Sequence, residues 1–424
     1  MVEFAVRNHE LHAGASIRTD DGGPILTAFA LVFSAIAFNF CLCFINTNVT
    51  GISSASVIGC EVVIVATTFI VSYRSIGVAE AVLIAGAGLY LLALALARAM
   101  DNPTSFDPKI IRDFMIPIAF FLLGRRVRNV RAVDIFVRIV TVIVVVLAIF
   151  EYFDVEDYLK YFNVIMYYIA RGSVESTRLE ILSTNLFVSG IRPEGRSLLP
   201  FLGDHRVSSI FLEPVSPGSF AVILFNWALV RSVSRKTVYY GMFAMAVFLT
   251  IMADNRFGAY LCALALVTAF LPARFLYAGI VVAPFVAVVV LLGVALALPG
   301  EAVDNSVIGR LLSSGRSLES FDLAAWFGLS TDAGVSYDSG YSYTIGQVGI
   351  FGFIAFWAVF MLLRSRNADF KLYHAFCGLY FVAFLCVSYA PYTIKTAAML
   401  WFLLGVLAAE DDAGEVRPRA EQFV

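Results

Sequence analysis

Apolar runs of about 20 residues, the length that carries a helix across a bilayer, recur from one end of this 424-residue chain to the other. They fall at about 24–46, 56–73, 77–98, 110–124, 135–153, 209–230, 237–253, 259–271, 275–298, 341–363, 372–389 and 392–409. Two are weak as spans: 110–124 is short and holds Arg112 and Asp113, and 259–271 is short. A water-soluble fold has nowhere to hide this much apolar surface. Hydrophobic residues make up 60% of the chain and charged ones 15%, with a mean hydropathy of +0.84. Soluble domains average about 45–50% and about 25%. The expectation is an all-α, polytopic transmembrane bundle of about 12 helices in one domain, without internal repeats. A polar segment (1–23) precedes the transmembrane part (24–409) and a short tail (410–424) follows it.

Basic residues orient the bundle, because loops that stay in the cytoplasm keep an excess of Lys and Arg. With the N-terminus inside, alternate connections carry Arg7 and Arg18; Arg74; Arg125, Arg126, Arg128 and Arg131; Arg231, Arg235 and Lys236; Arg274; and Arg364, Arg366 and Lys371. The tail adds Arg417 and Arg419. The opposite short connections carry only Arg98, Lys109, Arg256 and Lys395. Both termini are therefore expected in the cytoplasm. The two long connections, about 154–208 and 299–340, are expected outside. Loops this long are usually functional, and both hold enough aromatic residues to form short helices. The first interleaves Tyr152, Phe153, Tyr158, Tyr161, Phe162, Tyr167 and Tyr168 with charges, the pattern of an amphipathic helix on the membrane surface.

Composition also removes several functions. The formal net charge is −2 and the basic residues fall in short clusters, so no nucleic-acid partner is indicated. The six cysteines lie inside apolar runs and the four histidines are scattered, so no metal-ligand spacing exists. No Walker loop, Gly-x-Ser-x-Gly or His-Glu-x-x-His is present.

Ionisable groups at membrane depth are candidate functional residues. Asp204-His205-Arg206 is followed by Glu213-Pro214 and Pro217, which reads as a carboxylate at a broken helix. A structural Glu–Arg pair is the plainer reading. Asp254-Asn255-Arg256 forms a tight outward turn, which an ordinary solvated turn also explains. The second loop offers Arg310 and Arg316, then Asp338, Ser339 and Tyr341 ahead of a helix carrying Gly346, Gly349 and Gly352. There Asp338 is equally a helix cap, and the glycines suit close helix packing. The outward side thus collects Arg192, Arg196, Arg206, Arg256, Arg310 and Arg316. Guanidinium forks grip phosphate in a bidentate way, so a lipid with a diphosphate head suits them.

These residues resemble the O-antigen ligase/Wzy polysaccharide-polymerase superfamily. Arg206-x-Ser-Ser-x-Phe-x-Glu213-Pro214 is similar to the Arg…Phe-x-Glu-Pro signature of Wzy-type and exopolysaccharide polymerases. Asp254-Asn-Arg256-x-Gly258 is similar to the superfamily's Ser-Arg-Gly turn. Asp338-Ser339-x9-Gly349-x-x-Gly352 is similar to a ligase pattern that begins with His. Here Asp338 replaces that histidine and the second loop has none, which favours a polymerase. Arg192-x10-Gly203 matches one arginine-rich loop motif, whereas Arg310 and Arg316 lack the spacing of the other.

The resemblance implies a GT-C-like bundle in the bacterial inner membrane. It implies a metal-independent, cofactor-free, inverting glycosyltransferase that joins undecaprenyl-diphosphate-linked oligosaccharides into exopolysaccharide, capsule or O-antigen. Asp338 or Glu213 would be the base, and Arg206 would act in the mechanism. Arg192, Arg196, Arg256, Arg310 and Arg316 would bind diphosphate, with His205, Asp254, Ser339 and Tyr341 as further candidates. A chain-length regulator and a flippase of the same pathway are the expected companions. Two other readings compete: a ligase that moves glycan to lipid A or protein, and a flippase or transporter, although transporters often show internal repeats.

Overall fold

The computed structural model describes residues 22–102, 109–174, 184–192, 195–235, 239–304, 306–330 and 339–414. Asp338, nearly all of the N-terminal segment and most of the tail lie outside them. The described residues form sixteen α-helices and no strand beyond one isolated bridge. They are α1 (Gly22–Asn48), α2 (Ser54–Ser72), α3 (Val78–Asp101), α4 (Lys109–Arg125), α5 (Val130–Phe153), α6 (Val155–Tyr161), α7 (Val164–Ala170), α8 (Val215–Arg235), α9 (Tyr240–Met252), α10 (Arg256–Thr268), α11 (Ala273–Ala297), α12 (Val307–Glu319), α13 (Leu323–Trp326), α14 (Gly340–Leu362), α15 (Ala368–Leu385) and α16 (Ile394–Gly414).

Each of the twelve apolar runs becomes a helix. Six helices are long and apolar enough to cross a membrane: Gly23–Asn48, Ser54–Ser75, Val78–Met100, Val130–Phe153, Phe275–Ala297 and Gly340–Leu362. Their outer faces present Val82, Leu89, Ile135, Val289 and Phe351 to the surroundings, which is stable in lipid and not in water. α8 and α16 owe little to lipid. From Phe220 to Val230 nearly every α8 side chain is buried, as is Ala397–Leu407 of α16. A helix wrapped in protein tolerates polar residues, and α8 keeps Asn226 and Arg231. α4 does the same. Arg112 donates from Nε and Nη2 to Asp113 Oδ1 (2.8 and 2.6 Å) and pairs with Glu61 of α2. The Tyr343 hydroxyl of α14 donates to Asp113 Oδ2 at 2.5 Å.

Consecutive long helices alternate in direction. At one end of the bundle Arg231 of α8 pairs with Asp369 of α15 (2.8 Å) and Asp134 of α5 (3.4 Å), and Arg125 of α4 pairs with Glu80 of α3. At the other end the start of α8 meets the ends of α9 and α15 and the start of α10.

Two expectations are corrected. The tyrosines after α5 do not ride on a membrane surface. α5 runs on to Phe153, and the two seven-residue helices α6 and α7 turn back into the bundle. Tyr158, Tyr167 and Tyr168 are buried, with the Tyr158 hydroxyl donating to Ser209 O (3.0 Å) and the Tyr167 hydroxyl bonded to Asn39. Nor do Pro214 and Pro217 break a helix. α8 begins at Val215, so Pro214 precedes it and Pro217 lies in its first turn, where the N–H has no helical partner to lose. The interruption is in α14, at Gly349.

Candidate functional site

A short backbone ladder assembles one wall of the site. Arg192 N–H donates to Asp204 O (3.0 Å), Arg206 N–H to Gly190 O (2.8 Å) and Val207 N–H to Met252 O (3.0 Å). Arg192 and Arg206 are thereby set side by side and docked on the end of α9. There the chain turns through Asp254, a residue with φ of 47°. A left-handed, non-glycine residue stays in place only when its surroundings fix it. Asp254 is fully buried. Its Oδ1 accepts from Ser197 N (3.0 Å) and Leu198 N (2.8 Å), and its Oδ2 lies 2.6 Å from Arg192 Nη1. Asn255 then caps α10 by accepting from Gly258 N at 2.8 Å. The turn sits flush on α8 because residue 218 is glycine; a Cβ there would run into the Asn255 side chain.

The result is a pocket of about 60 Å³ at the end of the bundle that carries both long connections. That is several times the roughly 10–15 Å³ that one water needs on the same measure. Arg192, Arg206, Arg256 and Arg310 line it with Asp254 and Asn255, and Val215, Phe257, Phe384 and Val387 make its apolar side. Arg192 and Arg206 come from the first long connection and Arg310, on α12, from the second; Arg256 opens α10. Arg206 is held by Ala253 O and Ser189 O, both at 3.1 Å. Burial lowers its pKa, and the Arg192, Arg310 and Arg196 charges add to this while Asp254 opposes it. Its charge is thus costly where it sits.

Other candidates lie elsewhere. Arg196 sits behind the Asp254 turn and donates to Ile251 O (2.8 Å) and Met252 O. Arg316 ties the end of α11 down, donating to Leu298 O, Pro299 O and Glu301 O at 3.0, 3.0 and 2.7 Å. His205 faces Glu151 at 3.1 Å. Ser339 caps α14 by accepting from Ser342 N (3.2 Å), and the buried Tyr341 donates to Val382 O (3.2 Å). Glu213 is not among the residues that line the pocket. Its Oε1 accepts from Lys395 Nζ (2.8 Å) and from Ser216 Oγ (2.6 Å).

Three supporting residues were not among the candidates that the sequence offered. Glu151, fully buried at the end of α5, accepts from the backbone N–H groups of Ser208 (2.9 and 3.0 Å) and Ser209 (2.5 Å). It holds a segment in which Ser209 and Leu212 have φ of 51° and 64°. Lys395 and Arg98 are the others. Each is a lone charge at the end of an apolar run, and that is the signal that finds them.

Fold and site define a helical bundle with membrane-length apolar helices and an arginine-lined pocket at one end. No protein-family model, no curated protein and no solved structure matches the chain.

Proposed function

We propose that this protein is a polysaccharide polymerase of the bacterial inner membrane. It joins undecaprenyl-diphosphate-linked repeat units into exopolysaccharide, capsule or O-antigen on the periplasmic face. One observation carries the reading: both long connections and the Asp254 turn deliver arginines to a single pocket. In this reading all twelve apolar helices cross, both termini are cytoplasmic, and the pocket opens outward. The alternating helix directions and the basic residues at the opposite end support that orientation.

Transfer needs a base at the acceptor hydroxyl and charge stabilisation for the departing diphosphate. The hydroxyl oxygen bonds to the anomeric carbon of the donor, the bond to the diphosphate oxygen breaks, and the anomeric centre inverts. Arg206, Arg256 and Arg310 take up the negative charge on the leaving group, and Arg192 is set in place by Asp254. Asp338 is the proposed base. It directly precedes the α14 cap Ser339, and the first residue of α14, Gly340, packs against the backbone of Ser388 in the pocket wall. Glu213 is assigned a positioning role through Lys395.

The test is polymer production in a strain lacking the gene. Arg206→Ala, Arg256→Ala or Arg310→Ala, each present at normal membrane levels, is expected to cut polymer about 100-fold or more, the loss typical of removing one transition-state charge partner. The exposed Lys160→Ala is expected to leave it unchanged. Normal polymer from all three arginine variants would remove the pocket from the mechanism.

A further inference from the structure

α14 is two helices laid end to end. Gly349 has φ of 69° and ψ of 168°, a conformation that glycine alone adopts readily. The Phe327 carbonyl and Gly328 N lie where a Cβ on Gly349 would go. The break leaves the carbonyls before it, at the end of the first half-helix, without helical partners.

Side chains of α3 take them over. The Tyr90 hydroxyl donates to Val348 O at 2.6 Å. Arg98 Nη2 donates to Gly346 O (2.9 Å), Gln347 O (2.6 Å) and Gly328 O (2.5 Å). Its Nε also reaches Gly328 O (2.8 Å), and its Nη1 reaches Gln347 Oε1 (2.8 Å). Arg98 is only 4% exposed, although α3 is the least buried of the six membrane-length helices. Its hydrogen-bond partners among the described residues are carbonyl and amide oxygens.

We infer that Arg98 is a built-in cation for the broken helix, a positioning residue that pins the second long connection to the bundle. A half-helix C-terminus carries partial negative charge, and interrupted helices of transporters use such carbonyls to bind a metal cation. Here a tethered guanidinium occupies that place, and its rigid fork reaches two chain segments together. Gly328 belongs to the connection, while Gly346 and Gln347 belong to the helix. Arg98 therefore sets their register. α12 packs on α14 and carries Arg310 of the pocket, so the pin holds one pocket wall in position. Only the expected effect on activity rests on the polymerase reading; the pin itself does not.

Hydrogen–deuterium exchange on the full chain in nanodiscs tests this. In Arg98→Ala the amides at 323–330 and 346–351 are expected to exchange about tenfold faster or more, the effect of losing hydrogen bonds to a charged group. Millimolar guanidinium is expected to restore slow exchange. Arg98→Lys is expected to fall between the two, since one ammonium cannot span both segments. Tyr90→Phe is expected to loosen only the residues around Val348. If Arg98→Ala fails to fold, the lysine and phenylalanine variants decide. Wild-type exchange in Arg98→Ala and Arg98→Lys, or no recovery with guanidinium, would overturn the pin. Polymer synthesis in Arg98→Ala should fall and recover with guanidinium as exchange does. Exchange that responds as expected, beside a wild type that makes no polymer, would leave the pin standing and sink the polymerase reading alone.

Discussion

Four basic residues in the short connections run against the charge asymmetry of the sequence: Arg98, Lys109, Arg256 and Lys395. The structure engages each of them. Arg98 holds carbonyls at the break in α14. The Lys109 ammonium sits over the Tyr343 and Tyr389 rings at 5.3 and 4.8 Å. Arg256 lines the pocket, and Lys395 pairs with Glu213. Each exception to the rule thus marks an interaction, and the sequence shows which residues are exceptional but not what they touch. Glu213 shows that limit best. Its motif was legible, but its partner stands 182 positions away. Lys395 is buried and Glu213 partly buried; losing one partner of such a pair costs about 2–3 kcal/mol, because the other charge stays unpaired. Lys395→Met and Glu213→Gln are each expected to destabilise by that amount in a denaturation series. The double variant should regain most of the loss and keep its activity within about tenfold of wild type. A folded but inactive double variant would show that the reaction needs the charged pair itself.

Among the elements, period and length were legible wherever a helix meets lipid and less so where it meets protein. α1, α2, α3, α5, α11 and α14 stand out by hydropathy, as lipid requires. α4, α8 and α15 carry Asp113, Arg231 and Asp369 because neighbouring helices supply partners for them, Tyr343 of α14 for Asp113 and each other for Arg231 and Asp369. Their polar content weakens the sequence signal. The buried tyrosines of α6 and α7 look amphipathic in sequence because burial in protein and burial in a membrane surface leave the same pattern. α9 and α10 have 13 residues each. At 1.5 Å per residue each spans about 20 Å, short of a bilayer core of about 30 Å. In the twelve-crossing arrangement they cross a thinned region and return the chain to the same sides as before. Reporter fusions check this directly. Alkaline phosphatase fused after Asp254, between α9 and α10, should be active, and after Leu271, beyond α10, inactive. Inactivity at both positions, or the reverse pattern, would contradict the arrangement.

At the scale of the whole molecule, the arginine pocket was partly legible. Sequence reasoning gathered six arginines on one face, and four of them meet. Arg196 and Arg316 were indistinguishable from those four because a guanidinium that braces a loop carbonyl looks, in sequence, like one that binds phosphate. What separates them is the ladder at 190–192 and 204–206 and the strained turn at Asp254, both set by contacts remote in the chain. Under the proposed function this pocket works on a diphosphate-linked glycan. The most direct measurement supplies the purified protein with an undecaprenyl-diphosphate-linked repeat unit, with no nucleotide sugar and no other protein, and resolves the products by length. A ladder of lipid-linked glycans with wild type, lost in Arg206→Ala and Arg310→Ala, is the expected result. A wild-type protein that leaves the repeat unit unextended, or pocket variants that extend it as well as wild type, would contradict the account.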